Sequence, residues 1–236
     1  MQFDAQNLSA FYDQPLGLVT RRVLVRRLRN LWPDLRGVRL LGYGFAIPYL
    51  RPLLPEVERA VALIPAPQGA VAWPAERALV ALGEEDALPF ADAFFDRILM
   101  VHGLEQAEST RPLLRQIWRI LAPAGRLIVI APNRTGLWAQ VERSPFAHGR
   151  PFSRGQLDRL LQESMFVPEK WDSALYFPPL KSRRLVRSGR GWERAGRAVW
   201  PGFAGVHLVE ASKSLYALAP RGKRRAVPTA WAPGDA

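Results

Sequence analysis

Cysteine is absent from the 236 residues. Its absence excludes disulfides, thiolate metal sites and cysteine nucleophiles. Histidine is almost as scarce. His102, His148 and His207 are the only three and are widely spaced, so a histidine-based metal centre is not expected and no metal is assigned. No apolar run approaches 18 residues, and no membrane-spanning helix is expected. The opening stretch from Met1 to Asn7 contains Asp4 and no basic residue, unlike the basic start of a secretory signal, so the expected location is cytoplasmic. Apolar residues are not in short supply. At 48% of the chain they argue against wholesale disorder, and the length suffices for one well-buried α/β domain.

Positive charge is abundant. Thirty-three Lys and Arg oppose 21 Asp and Glu, a net +12, which draws the chain toward nucleic acid, acidic lipid headgroups or an anionic substrate without choosing among them. Lys181, Arg183, Arg184, Arg187, Arg190, Arg194 and Arg197 face a single acid, Glu193, with Trp192 and Trp200 interleaved. Such a segment meets phosphates or a lipid interface, or it is a solvated helix with its tryptophans packed beneath. Peripheral contact with an acidic membrane or with RNA is therefore an expectation for this basic surface. Nothing in the sequence fixes an oligomeric state.

Local patterns punctuate the chain. Asp13-Gln14-Pro15-Leu16 reads as a helix start capped by Asp13, followed by the apolar stripe Leu24, Leu28, Leu31. Val38 to Leu41 is an apolar strand entering the Gly42-Tyr43-Gly44-Phe45-Ala46 turn. Glycines there permit a tight turn or a close approach to a ligand. A short helix over 47–54 and strands over 57–64, 78–82 and 97–102 follow. Leu113, Leu114, Ile117 and Leu121 mark a helix ended by Pro123-Ala124-Gly125, and Leu127 to Ile130 is a fifth strand. A short helix over 136–141 precedes a loop from Ser144 to Phe152, rich in turn formers and aromatics. Ser153 to Gln156 is a capping box. Strands are expected over 171–177 and within 205–218.

The succession of Gly42-Tyr43-Gly44, Leu88-Pro89-Phe90, the strand Phe94 to His102 and Leu121-Ala122-Pro123-Ala124-Gly125 resembles the small-molecule, type 11-like branch of the class I S-adenosylmethionine-dependent methyltransferases. The resemblance runs from about Phe11 to Leu218 and is most specific between residues 84 and 133. It implies an α/β fold, a Rossmann-like seven-stranded sandwich with the last strand antiparallel. It also implies residues 1–220 as one methyltransferase-like domain, with an N-terminal helical cap at 1–36, a basic inserted segment at 178–204 and a basic flexible tail at 221–236.

The resemblance further implies S-adenosylmethionine as cofactor, held by Tyr12, Gly42, Tyr43, Gly44, Ala46, Gln68, Glu84, Asp86, Leu88 and His102. Asn133, Phe146, His148 and Phe152 would meet a small-molecule or lipid-like substrate, and His102 or His148 would take a proton from its nucleophile. Two positions depart from the family. Leu40 and Ile64 stand where carboxylates are usual, and Gln68 is the substitute for a ribose contact. The expected function is methyl transfer, with a catalytically inactive binding or regulatory protein and an RNA-binding protein as alternatives.

Overall fold

The computed structural model describes residues 4–74, 76, 78–179 and 189–214. The expectations for Lys181, Arg183, Arg184, Arg187 and the 221–236 tail lie outside the described residues, as do those for the side chains of Arg190, Trp192 and Arg194.

Two helices open the described chain, α1 (Ala5–Asp13) and α2 (Pro15–Leu31). Asp4 caps α1 by accepting from the Asn7 amide at 2.7 Å. Asp13 instead ends α1, and Gln14 precedes α2 without a side-chain cap. The expected Asp13 cap does not form because α1 runs through Asp13, which leaves Gln14 at the cap position before Pro15. The sheet and its remaining helices are β1 (Arg39–Gly44), α3 (Ile47–Leu50), β2 (Arg59–Pro65), β3 (Val80–Gly83), β4 (Phe95–Val101), α4 (Thr110–Ile120), β5 (Leu121–Pro132), α5 (Arg154–Glu163), β6 (Phe166–Ala174), α6 (Gly189–Val199) and β7 (Val206–Lys213).

The strand order is β3-β2-β1-β4-β5-β7-β6. β1 pairs in parallel with β2 and β4, β2 with β3, and β4 with β5. β7 runs antiparallel to both β5 and β6. The fold is thus the seven-stranded Rossmann-like α/β sandwich with an antiparallel last strand.

Strand side chains alternate between two cores. Leu40, Ile64, Leu99, Ile128 and Leu208 face α1, α2 and α3. Leu41, Leu63, Ile98, Leu127 and Val209 face α4 and α5. Both faces are covered, which is why β4 and β5 read as continuous apolar runs.

Three local expectations shift. The helical turns after Gly44 stop at Leu50, before Pro52. β5 begins at Leu121, pairing with Phe95, and regains its register only at Arg126 opposite Arg97. Residues 122–125 form that irregularity, where Pro123 has no amide to donate to a ladder. β6 starts at Phe166, five residues earlier than the Trp171 start expected from sequence, and ends at Ala174. The capping box forms as expected: the Ser153 and Gln156 side chains each accept from the other's backbone amide.

Candidate functional site

The glycine turn lies at the carboxyl end of β1. Gly44 has φ of +76°, and a Cβ there would stand 2.3 Å from the Val101 carbonyl oxygen. Only glycine combines this backbone with so close an approach. Phe45 then donates its amide to Val101 at 2.8 Å, tying the turn to the end of β4. A Cβ on Gly42 would meet Ala46 and Leu50 at 2.7 Å. The glycines therefore let the chain pack against itself. Tyr43 lies in the α4–α5 core, its ring beside Gly103, while Phe45 lies in the opposite core and stacks on Tyr12 at 6.1 Å.

A hydrogen-bonded chain of fully buried groups follows β4. His102 has φ of +52°, a left-handed conformation that costs a non-glycine residue about 1–3 kcal/mol and persists where the surroundings impose it. Its Nδ1 is 3.2 Å from Glu105 Oε1, and its Nε2 is 2.8 Å from the Tyr12 hydroxyl. Tyr12 is in turn 2.6 Å from the Tyr49 hydroxyl. The imidazole thus links the Glu105 carboxyl on one side to the Tyr12–Tyr49 hydroxyl pair on the other. Burial pushes both phenols well above their ordinary pKa, and they stay neutral.

Gln68 joins this cluster from the turn after β2, donating to the His102 carbonyl at 2.7 Å and to Gln106 Oε1 at 3.1 Å. Gln68 Oε1, Glu105 Oε2 and Gln106 Nε2 are buried without a partner, as is the Tyr43 hydroxyl on the other face of the sheet. Buried polar atoms left this way are costly and point to a missing partner.

The cluster is roofed. Phe146, in a tight turn at Pro145–Ala147, lies 4.6 Å from the His102 ring and 5.8 Å from Trp138. The Arg150 amide donates to the Glu105 carbonyl at 2.7 Å, and Gly149, at φ of +92°, passes so close that a Cβ would stand 2.3 Å from that oxygen. On the helical-cap side a cleft of about 170 Å³ remains, lined by Tyr12, Arg21, Phe45, Pro48, Arg51 and Trp73 among others. Small-molecule pockets usually exceed about 300 Å³.

The structure brings Tyr12, Gly44, Gln68, His102 and Phe146 together. Others lie apart or are engaged. Glu84 and Asp86 are exposed, while Glu85 between them turns partly inward and accepts from the Glu108 amide at 3.1 Å. Burial raises the Glu85 pKa. Leu88 is buried in the α4–α5 core, its carbonyl held by Arg119. Ala46 starts α3. The Asn133 amide donates to the Gly202 and Ala204 carbonyls at 3.0 and 2.8 Å, which occupies it with holding two loops together. His148 hydrogen-bonds the Glu142 carbonyl at 2.7 Å. Phe152 packs on the α4–α5 core, across the sheet from Phe146. Leu40 and Ile64 are buried in apolar surroundings. Glu105, Gln106 and Tyr49 were missed from sequence. An acid three residues beyond a strand-end histidine was the available signal for Glu105.

The strand order, with its antiparallel last strand, is that of the Rossmann-like methyltransferase fold. Residues 42–129 match the family described as a methyltransferase domain. The chain is 27% identical over 124 residues to a demethylmenaquinone methyltransferase of Thermus thermophilus, covering 52% of this chain and 55% of that protein. It is 29% identical over 126 residues to the Deinococcus radiodurans protein of the same name, covering 52% and 51%. It thus spans about half the length of the curated relatives it matches. A chain from the complex between the Haloferax volcanii Trm112 methyltransferase activator and a methyltransferase superposes with a TM-score of 0.64 at 16% identity, over 89% of this chain and 95% of that one. That likeness speaks for the fold alone.

Proposed function

We propose that this protein is an S-adenosylmethionine-dependent methyltransferase acting on a small or lipid-like acceptor. The observation that carries the reading is the buried Tyr12–His102–Glu105 chain beside the glycine turn, with polar atoms left unpartnered around it. Those atoms fit the cofactor. Gln68 Oε1 is an acceptor for a hydroxyl, Glu105 Oε2 for an ammonium, and Gly42, Gly44 and Ala46 form the adjoining turn. The acids from Glu84 to Asp86 are the candidates on the adenine side. Leu40 and Ile64 contribute no hydrogen bond. Bound, the cofactor supplies an electrophilic sulfonium methyl.

This chain's own residues supply alignment, water exclusion and a proton acceptor. His102 receives a proton at Nε2 once Tyr12 withdraws from it, and Glu105 fixes the tautomer and stabilises the resulting imidazolium. His148, in the loop that carries Phe146, is the alternative base. Phe146, Trp138 and Phe177 form a connected aromatic wall beside His102, suited to an apolar acceptor. The matched segment of the two demethylmenaquinone methyltransferases supports an acceptor of that flat, apolar kind.

Calorimetry with S-adenosylmethionine and S-adenosylhomocysteine is the test, followed by transfer of labelled methyl to separate lipid, small-metabolite, RNA and protein fractions. Saturable binding and label in lipid or small metabolites are expected. Label confined to RNA or protein would overturn the acceptor. A second reading, a catalytically inactive methyltransferase-like binding protein, is favoured by Leu40, Ile64 and the engagement of His102 Nε2 by Tyr12. It predicts binding of cofactor or acceptor with no label transferred to any fraction.

A further inference from the structure

Four large apolar side chains stand out of the surface at one place. Val199 is 60% exposed, Trp200 58%, Phe203 57% and Leu137 46%. They adjoin one another through the backbone. Asn133 and Thr135 both donate to the Gly202 carbonyl, at 3.0 and 2.8 Å, and a Cβ on Gly136 would stand 2.3 Å from the Ala204 carbonyl oxygen. Single exposed apolar residues are ordinary, but a cluster of four is a contact surface.

The cluster is held rigidly outward. Trp200 donates its amide to Gly196 at 2.8 Å and Phe203 to Trp200 at 3.0 Å, closing two turns in succession. Upstream, α6 is fastened by its polar side. Buried Glu193 accepts from the Tyr176 amide at 2.7 Å and pairs with Arg27 at 3.6 Å, and Arg197 pairs with Asp172. Gly196 sits so close to Tyr176 that a Cβ would meet its Cβ at 2.4 Å. A fold that spends these contacts on presenting Trp200 and Phe203 to solvent preorganises them for something apolar.

Charge identifies the occupant. Residues 181–200 contain seven Lys and Arg against one Glu, and Arg134, Arg143 and Arg150 are exposed on the neighbouring 134–150 segment. Exposed aromatic and aliphatic tips in a cation-rich part of the sequence, beside the exposed Arg134, match a bilayer interface with anionic headgroups, where Trp and Phe enter the boundary region and Arg stays in the water. Val199 and Leu137 have no π face to stack on a base, which disfavours single-stranded RNA.

We propose that the Leu137–Val199–Trp200–Phe203 surface docks the protein on an acidic lipid bilayer. The surface adjoins the site's roof, since the turn bearing Leu137 also bears Trp138, which packs on Phe146. Docking does not depend on which acceptor is methylated, and its test needs neither cofactor nor acceptor. The full chain is sedimented with phosphatidylcholine vesicles, with and without phosphatidylglycerol, at low and high salt.

Partitioning into the phosphatidylglycerol vesicles should exceed that into phosphatidylcholine alone by about tenfold or more and weaken with salt. The double variant Trp200→Ala/Phe203→Ala should lower partitioning by about tenfold with an unchanged circular dichroism spectrum and urea midpoint. Trp200→Phe should retain partitioning while reducing the tryptophan fluorescence quenched by brominated acyl chains. Equal partitioning of parent and double variant, or no partitioning at all, overturns the proposal. So does retention by RNA oligonucleotides in preference to vesicles, if the double variant abolishes it.

Discussion

The carboxyl edge of the sheet presents two aromatic clusters built on opposite terms. Beside β1 and β4, Tyr12, Tyr49, His102 and Phe146 turn inward, and the ring-borne polar atoms of the first three are joined in one hydrogen-bonded chain. Beside β5 and β7, Trp200 and Phe203 turn outward on a rigid pair of turns. The difference teaches what a ligand must do at each. At the closed end it has to replace contacts the chain already makes with itself, above all the Tyr12 hydroxyl on His102. At the open end it displaces only water. Affinity at the first is the gain from partnering the unpaired buried polar atoms less the contacts given up; at the second it is the burial of apolar surface.

If this contrast is right, substitutions at the closed end damage stability and those at the open end do not. Gly44→Ala should be the most damaging, because its Cβ collides with backbone at a positive φ. A loss of about 3 kcal/mol or more, or failure to fold, is expected in urea denaturation; a mild effect would mean the turn is looser than described.

Tyr12→Phe comes next. It removes the hydroxyl that serves both His102 Nε2 and Tyr49, and should cost about 1–3 kcal/mol. An unchanged urea midpoint would mean that the Tyr12 hydroxyl does not tie the closed end together.

His207 supplies a third, pH-dependent comparison. Burial, with the Arg154 charge adding to it, holds its pKa down to about 4 from 6.5. The fold therefore prefers neutral His207. Its contribution is intact above pH 6.5 and is lost progressively as pH falls toward 4, reaching about 1.5–2 kcal/mol by pH 5. The stability gap between the parent and His207→Gln should narrow over that range, and a gap that is flat with pH would remove His207 from the ledger. Trp200→Ala should change stability by less than about 0.5 kcal/mol, and a larger loss would mean that Trp200 is part of the core.

The same contrast explains what could be read from the sequence. Strand residues such as Arg97 to Val101 declare themselves by a continuous apolar run, and the Gly42–Gly44 turn by glycines only such a turn requires. The capping box at Ser153 is equally local. The closed cluster is not local. Tyr12 and His102 are 90 residues apart, and no periodicity links them. Glu84 looked the better inward acid because it follows the strand directly, yet the backbone bridge from Glu84 to Ala87 leaves it exposed and turns Glu85 inward. Arg119 stands on α4 opposite its apolar stripe of Leu113, Leu114 and Ile117. It reaches the Leu88 and Phe90 carbonyls, because a guanidinium is long enough to satisfy groups beyond its own helix. Asn133 was legible as a strand-end residue but not as a clamp, since its partners lie about 70 residues on.

β7 has a consequence for the order in which the molecule can be made. It is inserted between β5 and β6, pairing from Arg126 to Pro132 on one side and from Phe166 to Ala174 on the other. During synthesis, therefore, six strands exist before the seventh can join them, and β5 and β6 wait with bare facing edges until residue 213 has left the ribosome. Such edges are templates for pairing with other chains. Chains halted between residues 175 and 205 should accumulate as aggregates or chaperone-bound species, whereas adding a separate peptide spanning 206–213 should rescue part of the soluble yield.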